Sequence, residues 1–204
     1  MAKKQNNLYG NVPDKSPVAL LLIDVINDLD FPEADSLLRR ALPMAKRLAA
    51  LKTRAEKHGC AIIYVNDNFG RWRSDFKSQV QHCLSDGVPG RKLAELLSPK
   101  DCDYFVLKPA HSGFYSTALE VLLKHLETKT LIITGVAANI CVQFTANDAY
   151  LRGYRICVPS DCVASNTAKL TRDALEQMRT TLKADVMRSN AVPWKQLCSA
   201  TDSD

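Results

Sequence analysis

The stretch Leu131-Ile-Ile-Thr-Gly135-Val-Ala-Ala-Asn-Ile-Cys141-Val142 carries the pattern on which the reading of this chain turns. An apolar β run stops at a turn of small residues, and a helical pattern begins. Cys141 falls in the first turn of that helix. Unpaired backbone N–H groups and the positive end of the helix macrodipole face a thiol there, and both favour thiolate over thiol. Asn139, two positions earlier, reads as the N-cap that starts the helix. The alternative for Cys141 is a buried cysteine acting as a small hydrophobe.

The strand-to-helix step repeats outward from this stretch. Val18–Ile23, Ala61–Val65, Tyr104–Leu107, Leu131–Val136, Arg155–Val158 and Ala184–Met187 read as strands. Each is a short continuous apolar run rather than an alternating one, as expected where both faces of a sheet are covered. Helical patterns lie between them, at Glu33–His58, Ser116–Glu127, Cys141–Arg152 and Ala168–Leu182. Leu119, Leu122, Leu123 and Leu126 form one core stripe; Leu170, Ala174, Met178 and Leu182 form another. His58-Gly59 and Arg152-Gly153 read as helix stops. The alternation predicts an α/β fold: a three-layer α/β/α, doubly wound, Rossmann-like arrangement on a mainly parallel sheet of about six strands. One domain over residues 1–204, with a core at about 17–189, accommodates all of these elements. Asn66–Cys102 breaks the rhythm as a long excursion with room for two short helices, and is expected to fold over the carboxyl ends of the strands.

Composition narrows the class of function. Hydrophobic residues make up 46% and charged residues 24%, which suits a soluble globular chain. The net charge of +5 is spread among acids, as at Lys46-Arg47 and Lys52-Thr-Arg54 with Glu56. That reads as a solvated helix face, and no basic run interleaved with aromatics points to nucleic acid. The opening residues show no signal-peptide h-region, and no apolar run approaches the length needed to cross a bilayer. Seven cysteines without a CxxC pair suit reduced thiols in a cytoplasmic protein, with neither a disulfide framework nor a zinc knuckle.

Parallel α/β sheets bind ligands outside the carboxyl ends of their strands. The first strand runs into Asp24, in Leu21-Leu-Ile-Asp24-Val-Ile-Asn-Asp28; the third ends at Lys108; the fourth leads to Cys141. A carboxylate beside a thiol can take its proton, and a nearby ammonium lowers the pKa of both. Singly, Asp24 could be a turn cap and Lys108 a solvated strand end. Together they predict a site.

With these motifs in order, the chain resembles the isochorismatase-like superfamily of cysteine hydrolases, which includes nicotinamidases, carbamoylsarcosine amidases and other amidohydrolases. The resemblance spans roughly Pro17 to Ser189. It rests on Leu-Ile-Asp24-Val-Ile-Asn-Asp28, on Lys108-Pro-Ala-His-Ser112-Gly-Phe114, and on Thr134-Gly-Val-Ala-Ala-Asn-Ile-Cys141-Val. It implies a catalytic triad of Asp24, Lys108 and Cys141, and a cis peptide at Val136-Ala137. It further implies an oxyanion hole from the amides of Ala137 and Cys141, and a homodimer or homotetramer. The implied reaction is acyl transfer from a C–N bond of a small molecule through a thioester on Cys141.

Departures from the family bear on the substrate. Nicotinamidases carry a metal-binding Asp-x-His-x-x-His after the second strand; here Asn66-Asp67-Asn68-Phe69-Gly70-Arg71-Trp72 has no histidine. No metal and no other cofactor is therefore expected. Members that cleave the vinyl ether of isochorismate need no nucleophilic thiol, so Cys141 argues for an amide, ureide or N-carbamoyl bond. Candidate substrate contacts are Phe31, Phe69, Arg71, Trp72, His111 and Phe114; each could instead cover a loop, cap a turn or stand in solvent. Three other readings compete: the vinyl-ether reaction, a silent binding subunit, and a peroxide-sensing thiol with Cys157 or Cys162 as its partner.

Overall fold

The structure, a computed structural model, describes residues 15–70 and 72–199. Strands β1 (Val18–Ile23), β2 (Ala61–Asp67), β3 (Tyr104–Lys108), β4 (Thr130–Val136), β5 (Arg155–Pro159), β6 (Val163–Ala164) and β7 (Asp185–Met187) form one sheet. Its order is β3-β2-β1-β4-β5-β7, with β6 paired to β4, and every pairing is parallel. Helix α1 (Ala34–Lys57) links β1 to β2, and α2 (Phe76–Cys83) with α3 (Arg91–Leu96) fills the excursion before β3. Then α4 (Leu119–His125), α5 (Gln143–Leu151) and α6 (Ala168–Thr181) follow β3, β4 and β6, and α7 (Trp194–Ser199) comes last. The predicted three-layer, doubly wound class is the one observed.

Side-chain alternation along β1 explains the layers. Val18, Leu20 and Leu22 face one way, onto Leu37, Met44, Leu48 and Leu51 of α1 and onto Leu93 and Leu97. Ala19, Leu21 and Ile23 face the other, onto Leu119 and Leu123 of α4, Ala146 of α5 and Met178 of α6. All six β1 side chains are fully buried, each burial contributing about 1.5–3 kcal/mol for the larger ones. The winding leads leftward from β1 and rightward from β4, so the switch point lies between these two neighbours.

Several elements differ from expectation. Ser112 and Thr117 hold their own backbone: Phe114 N–H donates to Ser112 Oγ and Leu119 N–H to Thr117 Oγ1. Such local bonds keep this segment in turns, so α4 starts three residues later than predicted. The strand β6 and helix α7 have too few residues to show a period, yet Val192, Trp194 and Leu197 complete the α1 layer. Lys52 is not on a solvated face; it is buried on a 2.7 Å ion pair with Asp103. Leu170, at the capped first turn of α6, stays 39% exposed instead of joining the core stripe.

The excursion docks backbone to backbone on the loop after β1. Gly90 N–H donates to Asp28 O at 2.8 Å, and a Cβ on Gly90 would stand only 1.9 Å from Asn27 O. Gln79 Nε2 reaches the Asp67 carbonyl at 2.8 Å, and His82 meets Asp28 at 3.2 Å. The two short helices are thereby fixed beside the carboxyl ends of β1 and β2.

Candidate active site

Asp24 is the first residue past β1, and its backbone is left-handed at φ 51°. Aspartate tolerates that region better than most residues. Its N–H continues the sheet to Val65 O at 3.0 Å, while Oδ1 accepts the Asp67 N–H at 2.7 Å. Oδ2 lies 2.9 Å from Lys108 Nζ. Lys108 ends β3 in register with Asp67, which ends β2. Its side chain is fully buried, and Nζ also lies 3.3 Å from Asp67 Oδ2 and 3.5 Å from Cys141 Sγ. A carboxylate, an ammonium and a thiol from three separate strand ends thus meet at the switch point.

The turn that carries Cys141 is built by β4 and its neighbours. Gly135 has φ 109°, and a Cβ there would lie 2.1 Å from Ile23 O; only glycine lets β4 run this close to the end of β1. Gly135 and Val136 pair with β6, and the Val136–Ala137 bond is cis. Ala138–Val142 then forms a single π-helical turn ahead of α5. Asn139 does not cap it: the helix entry is Ala137, and the Asn139 N–H instead donates to Ser165 Oγ at 3.3 Å. The N–H groups of Ile140 and Val142 both turn onto Ala137 O.

Burial reverses the expected electrostatics. It pushes the Cys141 thiol up to about 12, helped by the negative charge of Asp24 and opposed by Lys108. Burial likewise raises the Asp24 carboxyl above 3.8, against the pull of Lys108. Burial works against the Lys108 charge as well, but Asp24, Cys141 and Asp67 together outweigh it and hold its pKa above 10.5. Loss of water thus disfavours a standing thiolate on Cys141, although Lys108 lies 3.5 Å from the sulfur. The pull of the ammonium does not offset the loss of water around sulfur.

The predicted substrate contacts separate into those near the thiol and those apart from it. His111 Nδ1 lies 3.9 Å from Cys141 Sγ, with its ring 5.4 Å from that of Phe144. Phe114 is turned into the core. It is buried in the layer that α4 and α5 share, 5.9 Å from the Tyr154 ring and under the Arg152 guanidinium. Phe31 lines a hollow with Leu29, Pro32 and Pro89, and Trp72 lines another with Gly70, Arg73 and Ser78; neither hollow includes Asp24, Lys108 or Cys141. Phe69 is partly exposed at φ 51°, its N–H on Asp67 Oδ1 at 2.7 Å. Arg71 lies outside the described residues.

In the sequence, Asp67 lies in a stretch without histidine and so does not read as part of a metal site. Its position at a strand end, the same signal that singles out Asp24 and Lys108, marks it as the second anion on the lysine. Among the described residues no group of three or more His, Cys, Asp or Glu side chains is gathered to hold a metal ion. No described helix is long and apolar enough to cross a membrane. None of the seven cysteines is in a disulfide. Cys157 and Cys162 are buried in the α1 layer, whereas Cys141 packs against the opposite layer, so neither is placed as its partner.

The fold is α/β, with Asp24, Lys108 and Cys141 gathered at its topological switch point. The chain belongs to the isochorismatase family of hydrolases: the model for the Isochorismatase domain matches residues 18–191. It is 41% identical over 172 residues to YaaI of Bacillus subtilis, described as an uncharacterized isochorismatase family protein, covering 84% of this chain and 94% of that one. It is 39% identical over 74 residues to the ureidoacrylate amidohydrolase RutB of Methylorubrum extorquens, which is 36% of this chain and 30% of RutB. The crystal structure of N-carbamoylsarcosine amidase from Thermoplasma acidophilum superposes with a TM-score of 0.65 at 27% identity, covering 86% of this chain and 98% of that one.

Proposed function

We propose that this hydrolase cleaves a C–N bond of a small amide, ureide or N-carbamoyl compound through a thioester on Cys141. The observation that carries the reading is the 2.9 Å and 3.5 Å reach of one buried ammonium, Lys108 Nζ, to Asp24 and to the Cys141 sulfur. A thiol with a pKa of about 12 is not deprotonated in advance, so its proton moves to Asp24 as sulfur attacks the carbonyl. Lys108 balances the negative charge that this transfer shifts between carboxylate and sulfur. The amides of Asn139, Ile140 and Val142 are committed to Ser165 and Ala137, and the reading gives the oxyanion to the amides of Ala137 and Cys141. Each important donor of this kind contributes about 3–4 kcal/mol. Protonated Asp24 then passes its proton to the departing amine nitrogen, and water cleaves the thioester.

The amidohydrolase names of RutB and the carbamoylsarcosine enzyme support this bond class over a vinyl ether. Intact-mass spectrometry across a panel of amides, ureides and N-carbamoyl compounds tests it, with Cys141→Ala as the control. An added acyl mass on Cys141, lost in the folded alanine variant together with turnover, is the expected result. Undiminished hydrolysis by the variant would remove the proposal.

A further inference from the structure

Proton chemistry touches the Cys141 sulfur from two sides. Asp24 and Lys108 lie on the buried side, 5% and 0% exposed. His111 lies on the other, exposed, with Nδ1 3.9 Å from Sγ. Its loop is tied to the helix that bears the cysteine. Thr145 Oγ1 donates to Cys141 O at 2.7 Å and accepts the Gly113 N–H at 2.9 Å. Ser112 Oγ bonds Asp148 on the same helix. Phe144, one residue before Thr145, sets its ring against the imidazole. The imidazole is therefore held on the exposed side of the sulfur, across from Asp24 and Lys108.

We propose that His111 is the general base of the second half-reaction, a role that rests on the thioester reading above. Nδ1, unprotonated in the required tautomer, takes a proton from a water whose oxygen attacks the thioester carbon. The tetrahedral adduct collapses with cleavage of the C–S bond, and the electron pair returns to sulfur. The proton on the imidazolium passes across the short gap to Sγ, restoring neutral His111 and the Cys141 thiol. Acylation belongs to Asp24; deacylation belongs to His111. The two carboxylate-side partners and the histidine then serve opposite faces of one sulfur.

Rapid mixing with p-nitrophenyl acetate as the acyl donor separates the two halves. His111→Gln is expected to keep the nitrophenol burst, to lose about 100-fold in the steady-state rate, and to accumulate acetylated Cys141. Hydroxylamine, which attacks a thioester without a general base, should restore turnover. Exogenous imidazole should do the same for His111→Ala, and thermal melting should place both variants near the parent, since the ring is exposed. A histidine variant that turns over like the parent would overturn the assignment, as would equal loss of burst and steady rate or absence of both rescues. A parent enzyme with no burst and no acetyl group on Cys141 would remove the thioester reading itself, and His111's role with it.

Discussion

Asp67 and Lys108 stand side by side in register at the ends of β2 and β3, and their side chains meet at 3.3 Å. The lysine that faces Asp24 and Cys141 is thus held by a second anion. Asp67 also donates its own N–H to Asp24, so one strand end steadies both members of the ion pair.

Replacing Asp67 by Asn keeps that N–H and removes one charge from Lys108. The Asp67 side chain is 28% exposed, which screens its effect. The expected loss in kcat/KM is about tenfold, about 1.4 kcal/mol, with little change in thermal stability. Steady-state kinetics beside a melting curve check this; an unchanged kcat/KM would show that Asp67 is not needed to hold the lysine.

Lys108→Met removes the counter-charge of a buried carboxylate. Breaking such a pair from one side costs about 3–5 kcal/mol, because the remaining charge is uncompensated. The variant is expected to lose turnover and unfold at lower urea. Adding Asp24→Asn should recover part of the stability without recovering activity. Equal stability of the single variant and the parent would contradict the pairing.

The pH dependence follows from the direction of each shift. In the proposed reaction Asp24 must be ionised to take the thiol proton, so the enzyme is expected to be inactive below the pKa of Asp24 and active above it. Since burial raises that pKa, the acid limb of kcat/KM should lie above the ordinary 3.8. Lys108 titrates above 10.5 and Cys141 at about 12, so these two groups set no limb through the mildly alkaline range. A carboxylate limb at or below 3.8 would mean that Asp24 is not the acceptor.

Gly90→Ala tests the docking of the excursion. The added Cβ would press on the Asn27 carbonyl, and neither backbone can yield cheaply. Overpacking of this kind costs about 1–3 kcal/mol. Urea unfolding should register that loss, and turnover should fall because the β1 exit loop carrying Asp24 shifts. A variant as stable as the parent would place the excursion's support elsewhere.

Much of the fold is legible because continuous apolar runs such as Val18–Ile23 occur where helices cover both faces of a sheet. The rim rule then picks out Asp24, Lys108 and Cys141 before any contact is known. Asp67 escapes it, because the apolar run ends at Val65 while the strand continues two residues further to pair with Lys108. Short elements escape the same reading: two residues of β6 have no period, yet they pair with Gly135 and Val136 under the cysteine turn. Asn139 has the composition of a cap, but the π-helical turn is entered at Ala137 and the Asn139 backbone N–H donates to Ser165 Oγ.

The sequence by itself determined the layer order, the strand ends and the kinds of chemical group placed on them, because spacing and residue type are properties of the chain. Only the tertiary structure decided how those groups behave. Side-chain direction and loss of water depend on segments far apart in sequence. Packing took Phe114 inward and left His111 beside the sulfur, and burial pushes the Cys141 thiol up where the helix end alone would pull it down.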